Sequence, residues 1–164
     1  IISSVTNEFV NYEKIIGIHI RTGDFNMGVN TKHILYNKNT LDDLVMKISD
    51  YIKNNNKNNY AIFVTSDFPD VNIIFEKYLE NVKVFYHNFD IIHIDMIKDT
   101  DNIENGIIKL FADHITLSKC NETITHRITN FGKSAALISK GNKLGLCYNG
   151  GFITPITVSQ LAIK

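Results

Sequence analysis

Ile15-Ile16-Gly17-Ile18-His19-Ile20, followed at once by Arg21-Thr22-Gly23-Asp24, is the stretch on which the fold turns. Its first six residues are apolar and mostly β-branched, with one glycine and one histidine among them. That pattern predicts a strand buried on both faces rather than one alternating between core and solvent. The four residues after it are polar, and a mostly polar stretch continues to Asn39. A buried strand that ends abruptly in arginine and glycine is where a parallel sheet would present chemistry.

Working outward, Leu41, Leu44, Val45, Ile48 and Ile52 recur at helical spacing, and Thr40 with Asp43 resembles a capping box that starts the helix. Lys53 to Asn59 is a Lys/Asn run that reads as a solvated connection. Tyr60 to Thr65 is a second strand. Val71, Ile74, Phe75, Tyr78 and Leu79 mark a second helix, with Pro69 near its start. Val82 to Phe85 is a third strand. The aspartate-rich segment from Tyr86 to Thr100 holds a short extra element at Ile91 and Ile92. Ile103, Ile107, Leu110, Phe111, His114 and Leu117 form a third helical stripe. Thr123 to His126 is a strand, Phe131 to Ser139 a short helix stopped by Gly141, and Leu144 to Cys147 a last strand. No internal repeat is visible. Strands alternating with helices predict an α/β, Rossmann-like, mostly parallel sheet with helices on both faces. The 164 residues suit one such domain, 1–164.

Bulk properties narrow the function. Lys+Arg and Asp+Glu both count 17, so the net charge is zero. Nucleic-acid and membrane-surface binders usually carry a basic excess, and neither partner is expected here. No apolar run approaches the roughly 20 residues that span a bilayer. The first residues lack the basic-then-apolar order of a signal peptide, which leaves the compartment open with a lean toward the cytoplasm. The chain opens on Ile1 and Ile2 and reads equally as a piece of something longer. Cys120 and Cys147 match no zinc spacing, and whether they pair is open.

Sheets of this kind bind ligands beyond the carboxyl ends of their strands. Three clusters lie there. Arg21 can give a phosphate a bidentate fork, Gly23 lets the backbone turn, and His19 can donate to a phosphate or sugar oxygen. The competing reading is an Arg21–Asp24 pair beside a turn glycine. Thr65-Ser66-Asp67 ends the second strand; Asp67 could accept from a base or ribose, but capping the next helix is the stronger expectation. After the strand at Thr123 to His126 come Thr129, Asn130, Phe131 and Gly132, entering a helix of small residues whose N-terminus can hold an anion. An ordinary capped loop would look the same. His87, Asp90, His93 and Asp95 match no metal signature and read as surface loop. Asn121-Glu122-Thr123 is a formal glycosylation sequon.

Together these clusters resemble the GDP-fucose-dependent fucosyltransferases of GT-B type, the α1,6-, α1,2- and protein O-fucosyltransferases. Gly17-Ile18-His19-Ile20-Arg21-Thr22-Gly23-Asp24 is similar to that family's His-x-Arg motif, and Thr65-Ser66-Asp67 to its Thr-Asp-Asp motif. Asp113, Leu117-Ser118-Lys119-Cys120-Asn121 and Thr129-Asn130-Phe131-Gly132 look like its third segment, with Asn121 in place of an acid and Ile128-Thr129 in place of Ser-Ser. The likeness runs from about Ile15 to Ser139. It implies one half of a GT-B enzyme, with Arg21 on the diphosphate, His19 supporting it, Asp113 on guanine, and Thr129 with the Asn130 and Phe131 amides on phosphate. It further implies inverting transfer of fucose to a glycan or protein acceptor without a metal or other cofactor, and an amino-terminal lobe that this stretch does not supply. Asp24 is the nearest carboxylate in sequence to serve as base. Two alternatives stay open: a non-catalytic GDP-sugar-binding or structural module, and another Rossmann-like nucleotide-dependent enzyme. Against the latter stands the lack of Gly-x-Gly-x-x-Gly after the first strand.

Overall fold

The computed structural model describes residues 2–22, 38–89, 103–126, 130–138, 144–149 and 152–155. β1 (Lys14–Ile20) runs through the middle of a six-stranded sheet. In chain order the other elements are α1 (Ile2–Thr6) with a 3-10 turn after it, α2 (Lys38–Asn55), β2 (Tyr60–Ser66), α3 (Val71–Tyr78), β3 (Lys83–Phe85), α4 (Ile103–Lys119), β4 (Glu122–His126), α5 (Asn130–Ile138), β5 (Leu144–Asn149) and β6 (Phe152–Pro155). The strand order is β3-β2-β1-β4-β5-β6. Neighbours from β3 to β5 are parallel, and β6 alone runs antiparallel, against β5.

β1 is apolar apart from Lys14 at its start and His19 because it has a helical layer on each face. Ile16, Ile18 and Ile20 share one face with Ile62, Val64 and Ile124, and meet Leu41, Leu44, Val45, Ile48 and Ile52 of α2 and Val71 and Phe75 of α3. Full burial is worth about 1.5–3 kcal/mol for a side chain of this size, so the α2 stripe alone is a large part of the driving force. The opposite face carries Ile15, Ala61, Phe63 and Phe85 against Leu117, Cys120 and Ala135. Gly17 belongs to this second face. A Cβ there would lie 2.6 Å from Leu117 Cδ1, 2.9 Å from Cys120 Sγ and 3.1 Å from Cys120 Cβ. α4 therefore rests directly on the β1 backbone, an approach that a side chain at position 17 would prevent.

Several expectations shift. α2 begins at Lys38, so Thr40 sits inside its first turn and does not start it. α3 begins at Val71 with Asp70 as N-cap, so Pro69 does lie near its start. The stripe expected on α4 has the wrong phase. Leu117 reaches the core, but Ile107, Leu110 and Phe111 are exposed, Phe111 by 60%. The inward face consists instead of Gly106, Ala112, Asp113, Thr116, Leu117 and Cys120. Small residues permit the close seat over Gly17, and the polar ones find partners there, so counting apolar side chains selects the outer face. Cys120 is buried, its thiol donating to the Thr116 carbonyl at 3.4 Å. The antiparallel β6 had no counterpart among the expected strands.

Candidate functional site

β1 and β4 lie side by side and parallel, yet the helices that follow them cover opposite faces: α2 packs on one cluster, α5 on the other. β1 and β4 are thus the neighbouring strands at which the covering helices change face, the switch point beside which sheets of this kind bind ligands. Arg21 and Thr22 are the first two residues beyond β1 there. His126, the last residue of β4, donates from Nδ1 to the Arg21 carbonyl at 2.9 Å. Asp67, just past β2, accepts from the Thr22 amide at 2.6 Å and the Thr22 hydroxyl at 3.0 Å. Its other oxygen pairs with Arg21 Nη1 at 3.0 Å.

This corrects the capping role expected of Asp67. The N-cap of α3 is Asp70, in the left-handed region at φ 62° and without a side-chain cap. Ser66 serves a local turn, accepting from the Phe68 amide at 3.0 Å. Asp67 instead ties the end of β2 to the end of β1. It pairs with Arg21; the Arg21–Asp24 pair of the competing reading involves a residue outside the described ones.

On the other face, Thr65, His19 and Thr125 form a row across β2, β1 and β4. His19 lies 3.4 Å from the Thr125 hydroxyl, with its ring 4.9 Å from that of Phe131. Burial lowers its pKa, His126 and Arg21 lower it further, Asp113 pulls it back and His114 adds a small push, leaving it down at about 3. His19 is thus a neutral donor–acceptor at neutral pH. The unfolded chain takes up this proton near pH 6.5 and the folded chain only near 3. Stability should therefore fall on acidification, by about 1.4 kcal/mol per unit between those values and not above them. Unfolding curves at pH 7 and pH 5 test this: the parent should lose more than a His19→Gln variant, and equal losses would mean that His19 titrates normally.

His114 of α4 binds α5. With the Ser134 hydroxyl donating to the Phe131 carbonyl at 3.1 Å, His114 Nε2–H donates to Ser134 at 2.7 Å, and its ring stands edge-on to Phe131 at 5.1 Å. Phe131 thus lies between two histidines.

Asp113 lies beneath the row, 3% exposed. It accepts from the Thr65 hydroxyl at 2.7 Å, His87 Nδ1 at 2.8 Å and Lys109 Nζ at 2.5 Å. Burial alone would raise its pKa. The hydrogen bond from His87, the Lys109 ammonium with its own bond, and Thr65 outweigh that and hold the carboxyl below the usual range. A guanine reaching Asp113 would have to replace one of these donors. His87, expected in a surface loop, is buried here against Asp113 and edge-on to Phe63. Nothing local in the sequence marks it; only the β2–β3 register, Phe63 opposite Phe85, brings it to this end of the sheet. Its companions Asp90, His93 and Asp95 lie outside the described residues, and among the described residues no three potential ligands gather for a metal.

The structure thus brings His19, Arg21, Asp67, Asp113 and Phe131 to one end of the sheet. Asn130, exposed, begins α5. Gly23, Asp24 and Thr129 fall outside the described residues. Asn121 has a structural role at the other end of β1: its side-chain oxygen accepts from the Ile15 amide and its own amide donates to the Ile15 carbonyl, both at 2.8 Å. Thr123 of the sequon is buried in β4.

No protein-family model matches the sequence, and no curated protein matches it. Solved structures do match. NodZ α1,6-fucosyltransferase co-crystallised with GDP superimposes with a TM-score of 0.61 at 19% identity, covering 94% of this chain and 45% of that one. NodZ from Bradyrhizobium gives 0.59 at 19% identity over 94% and 44%. Arabidopsis thaliana FUT1 in complex with GDP gives 0.54 at 16% identity over 91% and 34%. This chain therefore spans less than half the length of those fucosyltransferases, and at these identities the likeness is one of fold. The resemblance read from the motifs extends to the architecture: an α/β sheet matching one part of fucosyltransferase structures.

Proposed function

We propose that this chain is the donor-binding part of a glycosyltransferase of fucosyltransferase type, gripping GDP-fucose by its diphosphate. The observation that carries the reading is Arg21, held at the β1/β4 switch point by Asp67 and His126 in a fold shared with enzymes crystallised with GDP. A planar guanidinium offers two parallel donors to a phosphate. The Asn130 and Phe131 amides at the α5 N-terminus, with Thr129 before them, add N–H and hydroxyl donors where the helix favours negative charge.

In transfer with inversion, an acceptor hydroxyl bonds to the anomeric carbon as the bond from that carbon to the β-phosphate oxygen breaks. GDP departs with the electron pair, and the acceptor proton passes to a base, for which Asp24 is the candidate. Charge grows on the diphosphate where Arg21 and the amides are already oriented, so the step calls for no metal. Neutral His19 donates one N–H to phosphate or sugar, Gly23 leaves room for the ligand, Asp67 braces the arginine, and Asp113 meets the guanine edge after exchanging a donor. A glycan or protein acceptor would bind against an amino-terminal lobe. The coverage of under half of each fucosyltransferase favours, as a second reading, a module that binds the donor without turning it over alone.

A thermal-shift panel of GDP, UDP, NAD and ATP tests the assignment. GDP at one hundred times its Kd should stabilise the fold by about 2.7 kcal/mol. UDP should do much less, since a site built on hydrogen bonds to a base rejects one that leaves them unmade. An equal response to UDP, or a larger one to NAD, would overturn the GDP assignment. Binding of GDP with no consumption of GDP-fucose would select the second reading.

A further inference from the structure

The Asp67 carboxylate does two jobs at once. One oxygen takes both the amide and the hydroxyl of Thr22; the other takes Arg21 Nη1. From the opposite side His126 holds the Arg21 carbonyl. The first two residues beyond β1 are therefore clamped by β2 through Asp67 and by β4 through His126. An arginine on a free loop samples many rotamers, and each one frozen on binding costs affinity. One held by a carboxylate at Nη1 has fewer rotamers left to lose. A merely structural ion pair would need neither the Thr22 contacts on the partner oxygen nor a site at the sheet's switch point.

We infer that Asp67 is a positioning residue: it acts on a bound diphosphate through Arg21 rather than by touching the nucleotide. This rests on the donor-binding reading above, and it replaces a direct contact from Asp67 to base or ribose.

Asp67→Asn separates the two jobs. An amide oxygen still accepts from Thr22, but the group facing Arg21 loses its charge. The experiment is a cycle of parent, Asp67→Asn, Arg21→Ala and the double variant, with GDP affinity measured by calorimetry. Backbone and arginine side-chain NMR is recorded on each form without ligand. Asp67→Asn is expected to keep the Thr22 amide protected, to free the Arg21 guanidinium to rotate, and to weaken GDP roughly tenfold in the parent but not in the Arg21→Ala background. Losses that add in the double variant would mean that Asp67 touches the nucleotide itself, and the inference is wrong. An Arg21 signal unchanged by Asp67→Asn overturns it without any ligand. If the parent binds inorganic pyrophosphate but not GDP, the fucosyltransferase reading fails, and the same cycle run on pyrophosphate decides the role of Asp67. A parent that binds neither anion overturns both.

Discussion

Asp113→Ala is expected to lower stability by about 3–5 kcal/mol, the cost of breaking a buried charge pair from one side. The substitution leaves the Lys109 ammonium, His87 Nδ1–H and the Thr65 hydroxyl facing a void in a closed part of the structure. The effect should appear in urea unfolding as a lower midpoint with little change in slope. Asp113→Asn keeps the shape and one acceptor and should lose less. The pH dependence has a definite sign. Because the folded carboxyl is held below its ordinary pKa, the stabilisation is complete above the unfolded value near 3.9 and disappears as pH falls through the lower folded value. A variant that unfolds like the parent but loses its preference for GDP over UDP would mean that Asp113 serves the base and not the fold.

The second large effect concerns ligand affinity. Arg21→Lys should weaken GDP binding by about 1.5–3 kcal/mol, the range for hydrogen bonds to charged groups. Lysine keeps the charge but loses the planar two-point fork, so it should not rescue. Stability should move far less, since the Arg21–Asp67 pair is partly solvated and such pairs contribute about 0–1 kcal/mol. Turnover should suffer more than binding if the guanidinium acts chiefly on the departing GDP. The measurement is calorimetric affinity beside melting temperature for Arg21→Lys and Arg21→Ala. Parent-like affinity in both would remove the phosphate role.

What the sequence revealed and what it hid divide along physical lines. The stripe on α2 and the runs in β1 and β2 were legible because an apolar side chain there has one place to go. The stripe on α4 misled because that helix buries small and polar residues over Gly17 and leaves Phe111 outside. Burial of Asp113 and Thr116 depends on partners that arrive from other strands, and no periodicity encodes them. The strand-end rule pointed to Arg21 and His19, and both lie at that end of the sheet. It misjudged Asp67, whose partner Thr22 stands 45 residues away in sequence, and it missed His87 as the partner of Asp113. Local chemistry favours a helix cap for an aspartate before a helix; only the pairing of β1 with β2 offers it a better bond.

The central position of β1 has a consequence for how the molecule breathes. A strand with a hydrogen-bonded neighbour on each side and a helical layer on each face opens only when most of the sheet does. Amide hydrogens along residues 16–20 should therefore exchange with solvent last, while those of β6, held by β5 alone, exchange early. Arg21 is the first residue past that slow segment. An anion held there is fastened one peptide from the last part of the protein to come apart, so ligand can come and go many times within the lifetime of a single closed state of its anchor.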